Sequence, residues 1–372
     1  MSEHYSVDHL LTQMVTLNAS DLHLAVGSPP VVRVRGHLQG FQGVPALTGD
    51  DTRDLLYRVL SSEQQKQLEL KRQLDFAHSI PGVARFRVNA YFQKEALSAA
   101  FRLIPNEIKS LEELGLSASL HQLAEKPRGL VLVTGPTGSG KSTTLATLID
   151  LINRTRSEHI LTIEDPIEFL HSHKGCIVNQ REIGADADDF ALALKSALRE
   201  DPDVILVGEM RDMETIGTAL TAAETGHLVF ATLHTQDAPQ TIDRIIDVFP
   251  PAQQGQIRAQ LAIGLQGVVT QTLLPTADGN GRAVAAEVLV PTPGVRNLIR
   301  EGKTHQIYSL IQTGAAHGMQ TMDSSLAELV RNNAITMATA ETRASEPSEM
   351  RKLVQSPGLT GQLQTSAPPV AA

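Results

Sequence analysis

The stretch that decides the fold is Gly135-Pro136-Thr137-Gly138-Ser139-Gly140-Lys141-Ser142, followed directly by Thr143. It has the pattern G-x-x-x-x-G-K-[ST], which is typical of a phosphate-binding loop. The glycines let successive backbone N–H groups turn inward toward phosphate oxygens. In such a loop the lysine reaches the β- and γ-phosphates and the following hydroxyl binds Mg²⁺. The stretch therefore predicts a site for ATP or GTP, with Lys141 on the phosphates and Ser142 on Mg²⁺.

The sequence on both sides of this loop has the required strand–loop–helix pattern. Gly129–Thr134 is an apolar run that predicts a buried strand, and residues 143–152 have helical length. Further strand-like runs alternate with helical stretches at His159–Ile163, Asp203–Val207 and His227–Leu233. This alternation predicts an α/β domain, in which helices cover both faces of a parallel sheet.

Three chemically active side chains follow these strands at their carboxyl ends, where open α/β sheets bind ligands. Glu209 is expected to hold Mg²⁺ through water, and Glu164 to orient or deprotonate the water that attacks the γ-phosphate. His234 faces the same edge. His227 stands at the other end of its strand, so the pattern leaves open whether it serves structure or chemistry.

Residues 1–104 show short alternating strands and helical stretches, which predict a small α+β domain. In one of these strands Arg85 and Arg87 share a face and lie about 6.6 Å apart, because side chains alternate with period 2. This face is either ordinary solvated sheet surface or a source of cations for phosphates bound by another domain or subunit. Arg102 is a third candidate for supplying such a cation, because an arginine from a neighbouring domain or subunit often assists phosphoryl transfer.

The pattern divides the chain into four parts. An α+β domain is predicted over 1–104, a linker over 105–127, and the nucleotide-binding domain with C-terminal helices over 128–345. A disordered tail is predicted over 346–372, because that segment is polar and rich in small residues.

Composition narrows the class of protein. The formal net charge is −9 over 372 residues, and the chain contains no Trp and only 4 Tyr, so direct nucleic-acid binding is not expected. The single cysteine, Cys176, excludes an internal disulfide. Neither a signal peptide nor a membrane-spanning apolar run is evident, which predicts a cytoplasmic protein. No N-K-x-D segment is present to read guanine, so ATP is favoured over GTP.

Four segments resemble the sequence boxes of the type II/IV secretion and pilus ATPases. They correspond to the Walker A, Asp, Walker B and His boxes of that family, and they are GPTGSGKST (135–143), TIEDPIEF (162–169), LREDPDVILVGEMRDMET (198–215) and TGHLVFATLHT (225–235). Residues 20–36 and 81–93 resemble the PAS-like N-terminal domain of the pilus-retraction branch. Residues 295–303 and 318–326 resemble its C-terminal retraction motif, although Gly294 stands where alanine is common.

The resemblance implies a PAS-like α+β domain followed by a RecA-like P-loop ATPase domain with a helical C-terminal region. Glu164 would be the general base and Glu209 the Walker B acid, and His227 and His234 would be the His-box residues. Three arginines would contact the nucleotide of a neighbouring subunit across a hexamer interface, namely Arg85, Arg87 and Arg102.

The resemblance also implies an activity and its partners. The protein would be a homohexameric ATP-hydrolysing motor that retracts type IV pili by removing pilin, and so powers twitching motility. It would work at the inner face of the cytoplasmic membrane, on a platform protein of the inner membrane, and together with a paralogous retraction ATPase. The chain lacks the four-cysteine insert typical of extension and secretion motors. The alternative is an accessory paralogue that binds ATP but turns it over weakly.

Overall fold

The structure is a computed structural model, and it describes residues 6–105 and 107–356. The described chain divides into two compact units. The first unit runs to Glu107 and also includes the short segment Pro166–Leu170. The second unit contains Ile108–Asp165 and the chain from His171 onward.

This division differs from the predicted one in the segment 105–127. Most of that segment belongs to the second unit, where Leu111, Leu120 and Leu123 are buried in a hydrophobic cluster. Leu111, Leu120 and Leu123 of the predicted linker therefore contribute to a core of the second unit. The assignment of Pro166–Leu170 to the first unit was not predicted either, because no sequence pattern separates it from its neighbours.

The first unit is an antiparallel sheet accompanied by helices. Its elements are α1 (Val7–Thr16), β1 (Ala19–Leu24), β2 (Val31–Val34), β3 (His37–Gly40), α2 (Gly49–Tyr57), α3 (Ser62–Lys71), β4 (Gln73–Ile80), β5 (Ala84–Gln93) and β6 (Ala96–Ile104). The strand order in the described sheet is β3-β2-β1-β6-β5-β4. The predicted mixture of helices and short strands, including the strand that contains Arg85 and Arg87, is confirmed. Strand β3 was missed because all four of its residues are exposed, so it has no apolar alternation to find.

Strand β5 shows why this sheet forms. Phe86 and Val88 are fully buried on one face, whereas Arg87 is exposed and Arg85 partly exposed on the other. The predicted period of 2 is therefore confirmed. Arg102 of β6 pairs directly opposite Arg87, so all three arginines lie on the same face of the sheet.

The second unit contains the α/β sheet. Its strands are β7 (Gly129–Thr134), β8 (His159–Glu164), β9 (Ile177–Glu182), β10 (Val204–Val207), β11 (Leu228–Leu233), β12 (Leu265–Pro275) and β13 (Arg282–Leu289). Its helices are α4 (Ser119–Ala124), α5 (Lys141–Thr155), α6 (Phe190–Ala197), α7 (Met213–Glu224), α8 (Ala238–Asp247), α9 (Pro251–Gly264), α10 (Pro293–Glu301), α11 (Ile307–Thr313), α12 (Met322–Arg331), α13 (Met337–Glu341) and α14 (Pro347–Gln355).

The strand order of this sheet, within the described residues, is β13-β12-β7-β11-β10-β8-β9. Neighbouring strands are parallel except for the antiparallel pair β12 and β13. Apolar residues cover both faces, as predicted. One cluster packs α6 to α11 against Leu130 and Leu132 of β7, and another packs α4 and α5 against Val131 and Val133 of the same strand. The central strands are buried on both sides and therefore read as continuous apolar runs.

The disordered tail predicted over 346–372 is wrong for its first part. Helix α14 occupies residues 347–355, and Met350 is fully buried against α12 and β13. Met350 and Val354 pack into an apolar cluster with α12, although the segment around them is polar. The rest of that prediction, from residue 357, lies outside the described residues.

Within 6–105 and 107–356, none of the helices has both the length and the apolar character needed to cross a bilayer.

Candidate nucleotide site

The loop between β7 and α5 has the backbone shape that its glycines predict. Gly135 and Gly140 have φ of 135° and 91°, values that other residues rarely adopt. A Cβ atom on Gly135 would lie only 2.2 Å from the backbone oxygen of Gln271. Glycine is therefore required here both by conformation and by the close approach of β12.

Helix α5 begins without a side-chain cap, and its N-cap residue is Gly140. Helices α7 and α8 of the same unit instead begin at Asp212 and Asp237, whose carboxylates accept backbone N–H groups. An uncapped start leaves the positive end of a long helix directed at the loop, which is the arrangement that binds phosphate.

Lys141 and Ser139 are the buried polar side chains of the loop. The Lys141 ammonium donates to the carbonyl oxygens of Gly135 and Pro136, at 2.8 and 3.1 Å, so it is held above the start of the loop. The Ser139 hydroxyl is buried and has no hydrogen-bond partner in the described chain. A buried hydroxyl of this kind normally has a partner, and a phosphate oxygen would supply one.

Gln271 of β12 supports the loop from the side. It is 1% exposed, and its amide Nε2 donates to the backbone oxygen of Ser139 at 2.9 Å. Gln271 could not be predicted from the sequence pattern, because it lies far along the chain and belongs to no phosphate-loop motif.

Glu209 follows β10 and keeps its negative charge. Burial favours the neutral form, but a hydrogen bond from Arg211 and the charges of His234, Arg211 and Lys141 outweigh it and lower the pKa of Glu209. Arg211 Nε lies 2.6 Å from Glu209 Oε1, and Arg211 Nη2 donates to Oε2 at the same distance. An ionised carboxylate beside a phosphate loop suits water-mediated binding of Mg²⁺.

Glu164 is the last residue of β8 and is oriented by two donors. The Thr162 hydroxyl donates to Glu164 Oε1 at 2.7 Å, and the Gln180 amide donates to the same oxygen at 3.1 Å. Two hydrogen bonds to one oxygen restrict the rotation of the carboxylate. Gln180 lies on the neighbouring strand β9, so sequence spacing could not reveal this contact.

The sheet register brings these groups to one edge. Val207 of β10 pairs with Ile163 of β8 and with Ala231 of β11, and Leu233 of β11 pairs with Thr134 of β7. The residues after these pairs therefore lie together at the carboxyl edge. His234 confirms this, because its Nε2 lies 3.1 Å from Glu209 Oε1. The prediction that Glu164, Glu209 and His234 join the phosphate loop agrees with this geometry.

His227 does not join them within one subunit. It precedes β11 at the opposite edge, where its carbonyl accepts from Gly129 N and its ring Nδ1 contacts the Ala222 oxygen at 3.0 Å. A six-residue strand separates the two edges by roughly 20 Å. The grouping of His227 with the catalytic residues, which rested on the family resemblance, is therefore not supported by this geometry. The ring instead caps the end of α7.

The three arginines named above belong to the first unit. Arg87 and Arg102 face each other across the β5–β6 pair, a placement of like charges that is unfavourable. Asp21 offsets part of this repulsion, because Arg102 Nε donates a hydrogen bond to Asp21 Oδ1 at 2.9 Å. Burial raises the pKa of Asp21, but hydrogen bonds from Ser20 and Arg102 lower it below its usual value.

Comparison with known proteins places the chain in a family. Residues 5–364 match the family model described as "Type II/IV secretion system protein". The chain is 51% identical to the type IV pilus retraction ATPase PilT of Pseudomonas aeruginosa, over 92% of this chain and 98% of that protein. It is 50% identical to a twitching motility protein of Neisseria gonorrhoeae, over 93% of this chain and 92% of that protein.

A solved structure matches at the same level. The crystal structure of the pilus retraction motor PilT with bound ADP has a TM-score of 0.88, with 49% sequence identity. The match covers 94% of this chain and 99% of that chain. This protein therefore belongs to the type II/IV secretion system protein family, and it is similar to the PilT-type pilus retraction ATPases of that family.

Proposed function

We propose that this protein is an ATP-hydrolysing motor that powers retraction of a type IV pilus, and with it twitching motility. The observation that carries the proposal is the convergence at one sheet edge of an uncapped helix α5, Lys141 and the acids Glu164 and Glu209. This set of groups fits phosphoryl transfer from ATP to water, where the protein mainly positions reactants and neutralises charge. The identity to retraction ATPases supports pilus retraction as the work performed.

Each group at the edge has a distinct proposed role. The loop residues 135–143 bind the phosphates through backbone N–H groups, with Lys141 on the β- and γ-phosphates. Ser142 and Glu209 would hold Mg²⁺, which would supply charge neutralisation at the phosphates when bound. Glu164 orients the attacking water and accepts its proton, since Thr162 and Gln180 keep its carboxylate in place. His234 contacts Glu209 and fixes its orientation.

The arginine face of the first unit supports a site completed by a neighbour. Arg85, Arg87 and Arg102 lie on one face of the described sheet, and Arg102 pairs there with Asp21. Arg87 and Arg102 are directly opposite each other, and a bound anion would offset their repulsion. We propose that this face contacts the nucleotide of an adjacent subunit in a homohexamer.

The same proposal extends to the first unit and its partners. Its antiparallel sheet with accompanying helices fits a PAS-like domain, and the family resemblance supports docking on a pilus platform protein of the inner membrane. The protein would then work at the cytoplasmic face of that membrane. A paralogous retraction ATPase is a further expected partner.

Mixing two inactive variants tests completion of the site in trans. We expect Arg87→Ala to reduce turnover by about 10- to 1,000-fold, because a neighbour's arginine stabilises the transition state. Mixing Arg87→Ala with Glu164→Gln should restore part of the activity. Some interfaces would then combine an intact Arg87 from one subunit with an intact Glu164 from the next. The measurement is steady-state ATP hydrolysis of the mixture against each variant alone.

The matched control for this experiment is Arg53→Ala. Arg53 is also exposed in the first unit, but it lies on α2 and pairs with Glu69. Its replacement should leave turnover unchanged. Mixtures that stay as inactive as their components would contradict a contribution in trans by Arg87. Wild-type protein that forms rings yet hydrolyses ATP negligibly would favour the accessory, PilU-like alternative over the motor.

A further inference from the structure

Glu287 is a buried acid whose position none of the motifs explains. It lies on β13, is 2% exposed, and its Oε1 accepts a hydrogen bond from the backbone N–H of Ala238 at 2.8 Å. Ala238 is the first residue of helix α8. Glu287 therefore satisfies one of the N–H groups that a helix start leaves without an intrahelical partner.

The start of α8 also determines where His234 lies. Between His234 and α8 the chain is fastened to the first turn of the helix. The Thr235 and Thr241 hydroxyls are 2.6 Å apart, and Gln236 N donates to Gln240 Oε1 at 3.0 Å. A displacement of the helix start would therefore move His234, whose Nε2 lies 3.1 Å from Glu209.

Strand β13 connects this contact to the C-terminal helices. The backbone N–H of Ala286 donates to Ser325 Oγ on α12 at 3.0 Å. Val288 and Gln320 exchange backbone hydrogen bonds of 2.8 and 3.0 Å. The same strand therefore carries both the C-terminal helical layer and the side chain that holds α8.

The surroundings of Glu287 are acidic. Burial raises the pKa of Glu287 to about 7, the Ala238 N–H opposes that rise, and the charges of Asp237 and Asp323 add to it. Tyr308 of α11 also faces this region, where burial raises its pKa and the charges of Asp323, Glu287 and Glu346 add to the rise. Near neutral pH the Glu287 carboxyl group is thus partly protonated and neutral, so the neutral side chain of glutamine closely imitates it.

We infer that Glu287 is a positioning residue for the nucleotide site. Its hydrogen bond to the start of α8 holds His234 beside Glu209, and it links that edge mechanically to the C-terminal helices through β13. This inference rests on the role of His234 proposed above. A purely structural role would instead make Glu287 one more buried acceptor, whose loss lowers stability without affecting turnover.

Three variants of Glu287 separate these possibilities in the full-length protein. Glu287→Ala removes the acceptor and should lower kcat about 10-fold with KM within about 2-fold, since the groups that bind ATP remain. Glu287→Gln keeps an oxygen at the same place and should retain kcat within about 2-fold. Glu287→Asp withdraws the oxygen by one methylene and should behave like Glu287→Ala. It therefore serves as the test if Glu287→Ala fails to fold.

Asp323 supplies the matched control. It is equally buried, at 3% exposure, and its two oxygens accept from the backbone N–H groups of Ser345 and Glu346 at 2.7 and 3.0 Å. It therefore holds a different part of the C-terminal region. Asp323→Ala should lower Tm and keep kcat within about 2-fold. An equal loss of kcat in Asp323→Ala and Glu287→Ala would overturn the inference.

Two further measurements locate the effect at His234. In a double-mutant cycle, Glu287→Ala should reduce kcat little further in a His234→Ala background, because both changes act on one contact. Without nucleotide, hydrogen exchange of residues 234–241 should accelerate in Glu287→Ala and remain normal in Asp323→Ala. Normal exchange in Glu287→Ala, or additive losses of kcat, would overturn the inference. Wild-type turnover in His234→Ala would instead refute the role proposed for His234, while the exchange data would still test the contact between Glu287 and α8.

Discussion

Glu164→Gln is expected to reduce ATP turnover by about 100- to 1,000-fold while ATP still binds with nearly unchanged affinity. A positioned general base typically contributes about 10²–10⁴ in rate, and glutamine cannot accept the proton. The change conserves shape, so the hydrogen bonds from Thr162 and Gln180 to Oε1 can persist. The proposed binding site for the phosphates lies at a different element, the start of α5, and the substitution leaves it intact.

The experiment compares steady-state hydrolysis with equilibrium binding of a fluorescent ATP analogue. Glu158→Gln is the control, because Glu158 immediately precedes the same strand at its opposite end and pairs there with Arg156. Its variant should hydrolyse ATP at the wild-type rate. Wild-type turnover in Glu164→Gln would show that Glu164 is not the base. Loss of ATP binding in that variant would mean that the carboxylate contributes to nucleotide binding instead.

Lys141→Ala is expected to weaken nucleotide binding by about 100-fold or more. In the proposed site the lysine places a positive charge beside the phosphates, and its own side chain is shielded from water, where charges interact more strongly than in solvent. Its side chain is 9% exposed and contacts the first two carbonyl groups of the loop, Gly135 and Pro136. Removing it takes away a phosphate ligand and also loosens the loop.

Thermal unfolding with and without ADP measures this effect. A ligand at 100 times its Kd stabilises a protein by about 2.7 kcal/mol, so the wild type should show a clear rise in Tm. The same ADP concentration should produce almost no rise in Lys141→Ala. Lys195→Ala is the control, because Lys195 is an exposed residue of α6 in the same unit. Equal stabilisation of Lys141→Ala and wild type by ADP would contradict the assigned site.

The parts of the site that were predictable from sequence are those whose partners are local. The phosphate loop needs only the strand before it and the helix after it, and Glu164 and Glu209 each end an apolar run. Parallel strands then bring these ends to one edge without further information. The fold class of the second unit follows from the same alternation.

The features of the fold and the site that were not predicted from sequence depend on contacts between segments that are distant along the chain. Gln271 reaches Ser139 across 132 positions of sequence, and Glu287 reaches Ala238 across 49. Hydrophobic periodicity predicts strands, but it does not predict that β12 pairs with β7. Without knowledge of that pairing, nothing distinguishes Gln271 from other strand residues. Helix α14 was missed for a related reason, since the burial of Met350 depends on α12 and β13.

The segment Pro166–Leu170 carries a consequence for how this protein can be divided. The chain leaves the second unit directly after Glu164 and Asp165, contributes these five residues to the first unit, and returns at His171. Each unit consequently consists of two separate segments of the chain. A fragment that ended at residue 107 would lack Pro166–Leu170, which belong to the first unit. The complementary fragment would still contain these five residues. Exchange of the first unit between relatives, by recombination or by design, therefore requires two separate replacements in one gene.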